Sequence, residues 1–288
     1  KAPSKPTQGI IISYHPLATT AGNEILHQGG NAFDAFIATT AAQYVLTEGV
    51  TSAAGPLGAL LYSAKTHETI YLDGYFNNPM DPKGKWTTSD PKIGKAIPVP
   101  GAMKALEALS KKYGRLSFAD CLKPAIALAT NGFKVSPLYA ALLHYQPDNL
   151  KRTAYGRETF FPNSRALVAG DELRLPEVAR FFRQVAKHGT DYIYKGAWGR
   201  KFVRVVRKHG GNMTLEDLAR YQIRWQKPLS SEYRGYEIVT TGGRTYGGLW
   251  SLLALKVAEH WRPSNQNHYS ASADDLEILV RISQEIDS

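Results

Sequence analysis

Cysteine is almost absent: Cys121 is the single one in 288 residues. One thiol excludes an internal disulfide and any zinc site built from several cysteines. It stands in LSFADCLKPAIALA, a helical pattern with no nearby His or Asn to activate it, and reads as a small core residue. No apolar run approaches the ~18 residues that a membrane-spanning helix needs, so no span is expected. The eight His are scattered at 15, 27, 67, 144, 188, 209, 260 and 268, none pairs as HExxH, and no carboxylates cluster with ligand spacing. No metal and no cofactor is therefore expected. GxSxG, the P-loop and GxGxxG are missing as well. The acidic pairs Glu216/Asp217 and Asp274/Asp275, and His188 and His209, fall in first and last helical turns, where the helix dipole accounts for them.

What is present is ordinary globular composition, 43% apolar and 21% charged. The length allows one large domain or two small ones at ~150 residues each. Neither a repeat nor an internal linker is visible, so residues 1–288 are read as a single domain. Thirty-five Lys and Arg against 25 Asp and Glu give a net charge of +10. The cations are densest between Arg180 and Lys208, where Lys201, Arg204 and Lys208 share one helical face opposite Phe202, Val205 and Val206. That is the pattern of a solvated face, and with no nucleic-acid module in the chain no nucleic-acid partner is expected.

Ile10 to Ser13 is a short β-like run. His15-Pro16 introduces a helix that Gly29-Gly30 ends, and Asn31 caps a second, AFDAFIATTAAQYVL, with Asp34 in its first turn. Its alanines at 35, 38, 41 and 42 predict burial on more than one side. GALLYSAK and ETIYLDGY read as two strands across a turn at Thr66–Glu68, followed by an irregular stretch from Phe76 to Pro100. Helices follow over Gly101–Tyr113, from the Ser117 cap to Asn131, from Ser136-Pro137, from Leu175 to His188, and from about Gly196 to Lys208. Residues 146–175 read as loop with short extended pieces. Thr214 with Asp217 caps a short helix, and Tyr236–Thr241 is a strand. GGRTYGG at 242–248 is a tight turn into a helix over Gly248–His260, and Ala273–Asp287 forms a last helix. Helices dominate and strands do not alternate with them, which predicts an α+β fold.

Three ordered blocks resemble a known family. They are HPLATTAGNEILHQGGNAFDAFIATTAAQYVLTEG from His15, IPVPGAMKALEALSKKYGRLSFADCLKPAIALATNGFKVSP from Ile97, and the stretch from GTDYIYKGAWGRKFV at Gly189 to SSEYRGYEIVTT at Thr241. Together they resemble the large chain of a gamma-glutamyltranspeptidase-like N-terminal-nucleophile hydrolase. The resemblance implies a four-layer αββα sandwich, of which this chain is the helix-rich large-chain part. It implies a proenzyme that cuts itself, giving a small chain whose N-terminal Thr is the nucleophile and whose α-amine is the base. No candidate for that Thr occurs here, so no catalytic residue is expected on this chain. The chain ends after a helix resembling the one before the cleavage linker, and is expected to be one product of self-cleavage. Its partners are then the small chain of the same precursor and a small-molecule acyl or amide substrate. The residues leave the compartment open, and the resemblance favours a periplasmic or secreted setting over a cytoplasmic one.

Three stretches depart from the family pattern. Where the family carries an Arg in D-F-R-E-T-A-P, clamping the α-carboxylate of a γ-glutamyl group, this chain reads Asp73-Gly74-Tyr75-Phe76-Asn77-Asn78-Pro79. Tyr75 stands at the Arg position, and a phenol cannot replace a guanidinium fork in bidentate carboxylate binding. By resemblance Tyr75, Phe76 and Asn77 are the substrate-binding residues; Tyr75 and Phe76 either suit a flatter, less charged acyl group or simply pack the pocket wall. SAAGPLGAL at 52–60 replaces a glycine run, and GGRTYGG replaces PPPSSGG. The expected activity is hydrolysis of an amide or similar acyl bond. The alternatives are true γ-glutamyl transfer with Lys83, Lys85, Lys92 or Lys95 as the missing cation, C–C bond hydrolysis in a biosynthetic pathway, and a non-catalytic ligand-binding member.

Overall fold

The computed structural model describes residues 8–47, 50–80, 94–145, 147–260 and 268–287. They fall into two compact units, one within Lys1–Pro56 and Phe76–Gln222, the other within Leu57–Tyr75 and Ile223–Ser288. The mixture of helices and small antiparallel sheets is the expected α+β class, rich in helix.

The first unit is built on α1 (Pro16–His27) and α2 (Ala32–Leu46). His15 caps α1 by accepting the Leu17 N–H on Nδ1 at 3.2 Å, and Gly29 ends it at φ 86°, a left-handed conformation that favours glycine. The two helices cross at small residues. A Cβ on Gly22 would run into the Thr39 hydroxyl and the Ile11 side chain, so this site on α1 requires glycine. As its alanines predict, α2 is buried nearly all round.

Asp34 closes a capping box at the start of α2: Asn31 Oδ1 accepts from Asp34 N, and Asp34 Oδ2 accepts from Asn31 N at 2.9 Å. The same oxygen also accepts from the backbone N–H groups of Arg115 at 3.0 Å and Leu116 at 3.3 Å. That turn joins α3 (Ala102–Tyr113) to α4 (Phe118–Asn131). Asn31 Nδ2 donates to Tyr113 O at 2.7 Å, and Phe33 stacks on Tyr113. Gly114 stops α3 for want of space: its φ is an ordinary −67°, but a Cβ there would lie 2.8 Å from Asp34 Oδ1. Cys121 is fully buried beside Asp34, as the core reading expected, and burial pushes its thiol pKa far up, which leaves it unreactive.

Two expectations are corrected here. Residues 147–160 form helices, α6 (Pro147–Lys151) and α7 (Ala154–Phe160), after α5 (Pro137–Tyr145). Thr153 caps α7 by accepting the Gly156 N–H, and Phe160 is buried against Tyr139. Helices of one or two turns are too short to show a period in sequence. The extended pieces reduce to β3 (Phe133–Lys134) paired with β4 (Glu172–Leu173). Ile10–Ser13 has no ladder partner among the described residues, so it is not a strand here. The unit continues through α8 (Pro176–His188), α9 (Asp191–Tyr194), α10 (Ala197–Lys208) and α11 (Leu215–Ala219), the last entered through the predicted Thr214–Asp217 capping box.

The second unit holds a three-stranded antiparallel sheet, β1 (Leu57–Ser63), β2 (Glu68–Gly74) and β5 (Arg224–Gln226), with β2 in the middle. The β1–β2 turn passes through His67 at φ 56°, and Leu57 pairs with Gly74 at the far end. A hairpin of β6 (Leu229–Tyr233) and β7 (Tyr236–Thr240) turns at Arg234-Gly235, both at positive φ. Two helices, α12 (Tyr246–Ala258) and α13 (Ala273–Asp287), complete it. Of β5, β6 and β7 the sequence predicted only β7, because RWQKPLSSEY carries little apolar alternation.

Replacing Asp34 with Asn turns a fully accepting carboxylate into a group that offers an N–H to three N–H donors. We expect Asp34→Asn to lower unfolding free energy by about 3 kcal/mol, read from the urea midpoint at unchanged m-value.

Candidate functional site

The site builds outward from β2. Tyr71, Leu72 and Asp73 are fully buried because β2 lies between β1 and β5. A buried carboxylate requires charged or hydrogen-bonding partners. Asp73 has both: Tyr75 N donates to Oδ1 at 2.9 Å, and Arg244 Nη2 reaches Oδ1 at 3.1 Å and Oδ2 at 3.2 Å. The first contact folds the chain back after Gly74 and fixes where Tyr75 leaves the strand. The second neutralises the acid with a guanidinium that is itself mostly buried, at 27% exposure.

The loop that delivers Arg244 is GGRTYGG. Gly243 has φ 67°, and a Cβ there would lie 2.8 Å from Gln226 Oε1 and 3.6 Å from Asp73 Oδ2, so the turn depends on glycine. Thr245 precedes α12, and its hydroxyl donates to Gly242 O at 2.9 Å. Gly248 is also obligatory, since a Cβ would strike the Thr241 carbonyl. The turn predicted at 242–248 is therefore present, with a function beyond turning.

Tyr71 completes the group. A Cβ on Gly58 would stand 3.2 Å from its hydroxyl, so that position of β1 is small where the phenol passes. Burial raises the Tyr71 pKa; the nearby Asp73 and Tyr75 raise it further and Arg244 lowers it. The phenol stays protonated at neutral pH, a donor and apolar wall rather than a base.

Of the sequence-predicted residues, Tyr75 is half-buried at the end of its stretch of the second unit. Phe76 and Asn77 are half-buried and begin a stretch of the first, where Asn77 and Val99 exchange backbone hydrogen bonds at 3.2 and 2.8 Å. Of the proposed lysines, Lys95 sits half-buried in a 3-10 turn over Gly94–Ala96, and Lys83, Lys85 and Lys92 lie outside the described residues. Asp73 and Arg244 were missed by sequence reasoning. Their signals were an Asp closing the apolar strand TIYLD and an Arg within a glycine turn, but nothing in the sequence joins positions 171 residues apart.

Elsewhere, the first unit has a cleft of about 790 Å³ lined by Phe181, Tyr192, Trp198 and Phe202, with Arg180 and Lys201 at its rim. Lys201 and Arg204 are exposed, as a solvated face requires, and Val206 is buried, but Val205, read as facing away from the cations, is 48% exposed and lines the cleft, a correction to that reading. Among the described residues no group of three or more His, Cys, Asp or Glu is placed to hold a metal ion, and no helix is long and apolar enough to cross a membrane.

Compared with known proteins, residues 18–284 match the family model described as gamma-glutamyltranspeptidase. The chain is 34% identical over 267 residues to the glutathione hydrolase proenzyme of Bacillus subtilis (strain 168), covering 89% of this chain and 45% of that protein. It is 31% identical over 279 residues to the acylase ACY 1 proenzyme of Pseudomonas sp. (strain SE83), covering 90% of this chain and 49% of that protein. The chain thus spans about half the length of these curated relatives. Its fold matches the crystal structure of Helicobacter pylori gamma-glutamyltranspeptidase with a TM-score of 0.86 and 28% identity, over 99% of this chain and 84% of that one.

The Asp73–Arg244 pair has a direct test. Arg244→Ala leaves a buried carboxylate without its cation and is expected to cost about 3 kcal/mol in urea unfolding. The double variant Asp73→Asn/Arg244→Ala removes the stranded charge, and the cycle should show a coupling of roughly 1 kcal/mol or more.

Proposed function

The chain belongs to the gamma-glutamyltranspeptidase family, and on that premise we propose that it is the large chain of a self-cleaved amide hydrolase or acylase. Its partner is the small chain of the same precursor, whose N-terminal Thr attacks the acyl carbon while its α-amine takes the proton. The substrate's C–N bond breaks as its amine leaves with that proton, and water then releases the acyl group from the Thr oxygen. On this reading Tyr75, Phe76 and Asn77 belong to the wall that receives the acyl group, and residues 1–288 act as one domain of the assembled enzyme.

The observation that carries the preference for a neutral acyl group is the state of charge at the end of β2. Tyr75 offers no cation, and the guanidinium beside it, Arg244, is neutralised by Asp73. A second reading, transfer of a γ-glutamyl group, draws support from the same Arg244: at 27% exposure it is a cation at the end of the strand that leads into Tyr75. A carboxylate ligand would then share Arg244 with Asp73.

The full-length gene product should separate on a denaturing gel into two chains in equal amount, the smaller starting with Thr. Hexanoyl and phenylacetyl anilides should be hydrolysed with kcat/KM at least roughly tenfold above γ-glutamyl anilide, and Tyr75→Arg should narrow that ratio. Rapid release from γ-glutamyl anilide with an acceptor dipeptide, lost in Arg244→Ala, would establish the second reading instead.

A further inference from the structure

Helix α10 carries two apolar stripes where packing needs one. Gly199, Val203 and Val206, spaced i, i+4 and i+7, are its buried residues. Trp198, Phe202 and Val205 repeat that spacing one residue earlier, and all three line the cleft of about 790 Å³. Phe181 from α8 and Tyr192 from α9 join them, and the four rings are only half-buried. Trp198 stacks on Phe202 with centroids 4.6 Å apart and planes 18° from parallel. Phe181 stands 5.7 Å from Trp198 at 56° to its plane, and 6.4 Å from Tyr192. A flat ring entering the cleft therefore meets aromatic partners in two orientations, face and edge.

The volume falls in the range of roughly 300–1,000 Å³ over which proteins hold small ligands, and an apolar, aromatic lining with a few polar groups is what such pockets use. The charge around it has one sign. Helices α8 and α10 together carry eight Lys and Arg against a single acid, Glu177. Glu177 is occupied by Arg180, whose Nη2 lies 2.8 Å from its Oε1. Lys201 is exposed at the cleft, on the helix surface between Trp198 and Val205, and has no ion-pair partner among the described residues. The charge complementary to this cleft is therefore negative. Cations alone would serve any polyanion, whereas four rings beside one open cation select an anion that carries a ring. Rings set in a concave surface do not reach into a bilayer, so a membrane is the poorer fit.

We propose that this cleft is a binding site for a small aromatic carboxylate. The flat ring system lies against Trp198, Phe202 and Phe181, and its anion pairs with Lys201. The inference does not depend on the functional reading above.

Fluorine NMR on the full-length protein carrying 5-fluorotryptophan reads the site directly, the Trp198 resonance being identified by its loss in Trp198→Phe. Naphthalene-2-carboxylate should shift that resonance saturably with a Kd of about 1 mM or tighter, the scale expected of a ligand of that size. The neutral naphthalene-2-carboxamide should bind roughly threefold or more weakly. Lys201→Glu, a change on an exposed side chain, should weaken the carboxylate roughly fivefold or more and the amide less than about twofold. No shift at Trp198 up to about 10 mM carboxylate overturns the proposal, and so does a shift confined to other tryptophans. Equal affinity for carboxylate and amide, or a carboxylate affinity indifferent to Lys201→Glu, overturns the anion pairing and the proposal with it. Vesicles of phosphatidylcholine and phosphatidylglycerol that broaden the Trp198 resonance, where naphthalene-2-carboxylate leaves it unmoved, make the face a membrane contact instead.

Discussion

One carboxylate oxygen organises the first unit. Asp34 Oδ2 accepts three backbone N–H groups, one from the residue that starts its own helix and two from a turn some 80 residues on. A charge with no exposure is tolerated because several amide dipoles converge on it. The start of α2 and the α3–α4 turn are therefore fixed with respect to each other by one group. The packing of α4 on α2, the burial of Cys121 and the lack of room at Gly114 follow from that placement.

The second unit solves the same problem differently. Asp73 is as buried as Asp34, yet it is balanced by a cation from a distant loop. Neutral N–H groups fix geometry alone, whereas a guanidinium also sets the local charge. The acid, the arginine and the Tyr71 phenol together make the buried end of β2 polar but net-neutral. On the proposed reading, selectivity for the acyl group is decided less by Tyr75 alone than by whether an incoming anion can compete with Asp73 for Arg244.

Much of this was legible in the sequence where it is local. Asn31 with Asp34, Ser117, and Thr214 with Asp217 announced their helices because capping chemistry spans only three or four residues. The β1–β2 hairpin and the buried α2 were equally plain from alternation and from the alanine spacing. The short helices α6, α7 and α9 and the polar strands β5 and β6 were not, since each is held by contacts its own sequence does not contain. The Ile10–Ser13 run shows the reverse case: strand chemistry is written in the side chains, but a strand needs a neighbour. The Asp73–Arg244 pair was hidden for a related reason, because a pattern along the chain cannot report which loop returns to which strand.

The order in which the chain is made adds a constraint of time. The β1–β2 hairpin emerges early, but its third strand begins at Arg224, and the cation for Asp73 comes later still, 171 residues downstream. At ~5–20 residues per second, roughly ten to thirty seconds pass in which the hairpin lacks its third strand and the acid its cation, while the residues between are synthesised. Asp73 thus keeps its charge throughout, and gains its counter-charge only once the loop that carries Arg244 has been made.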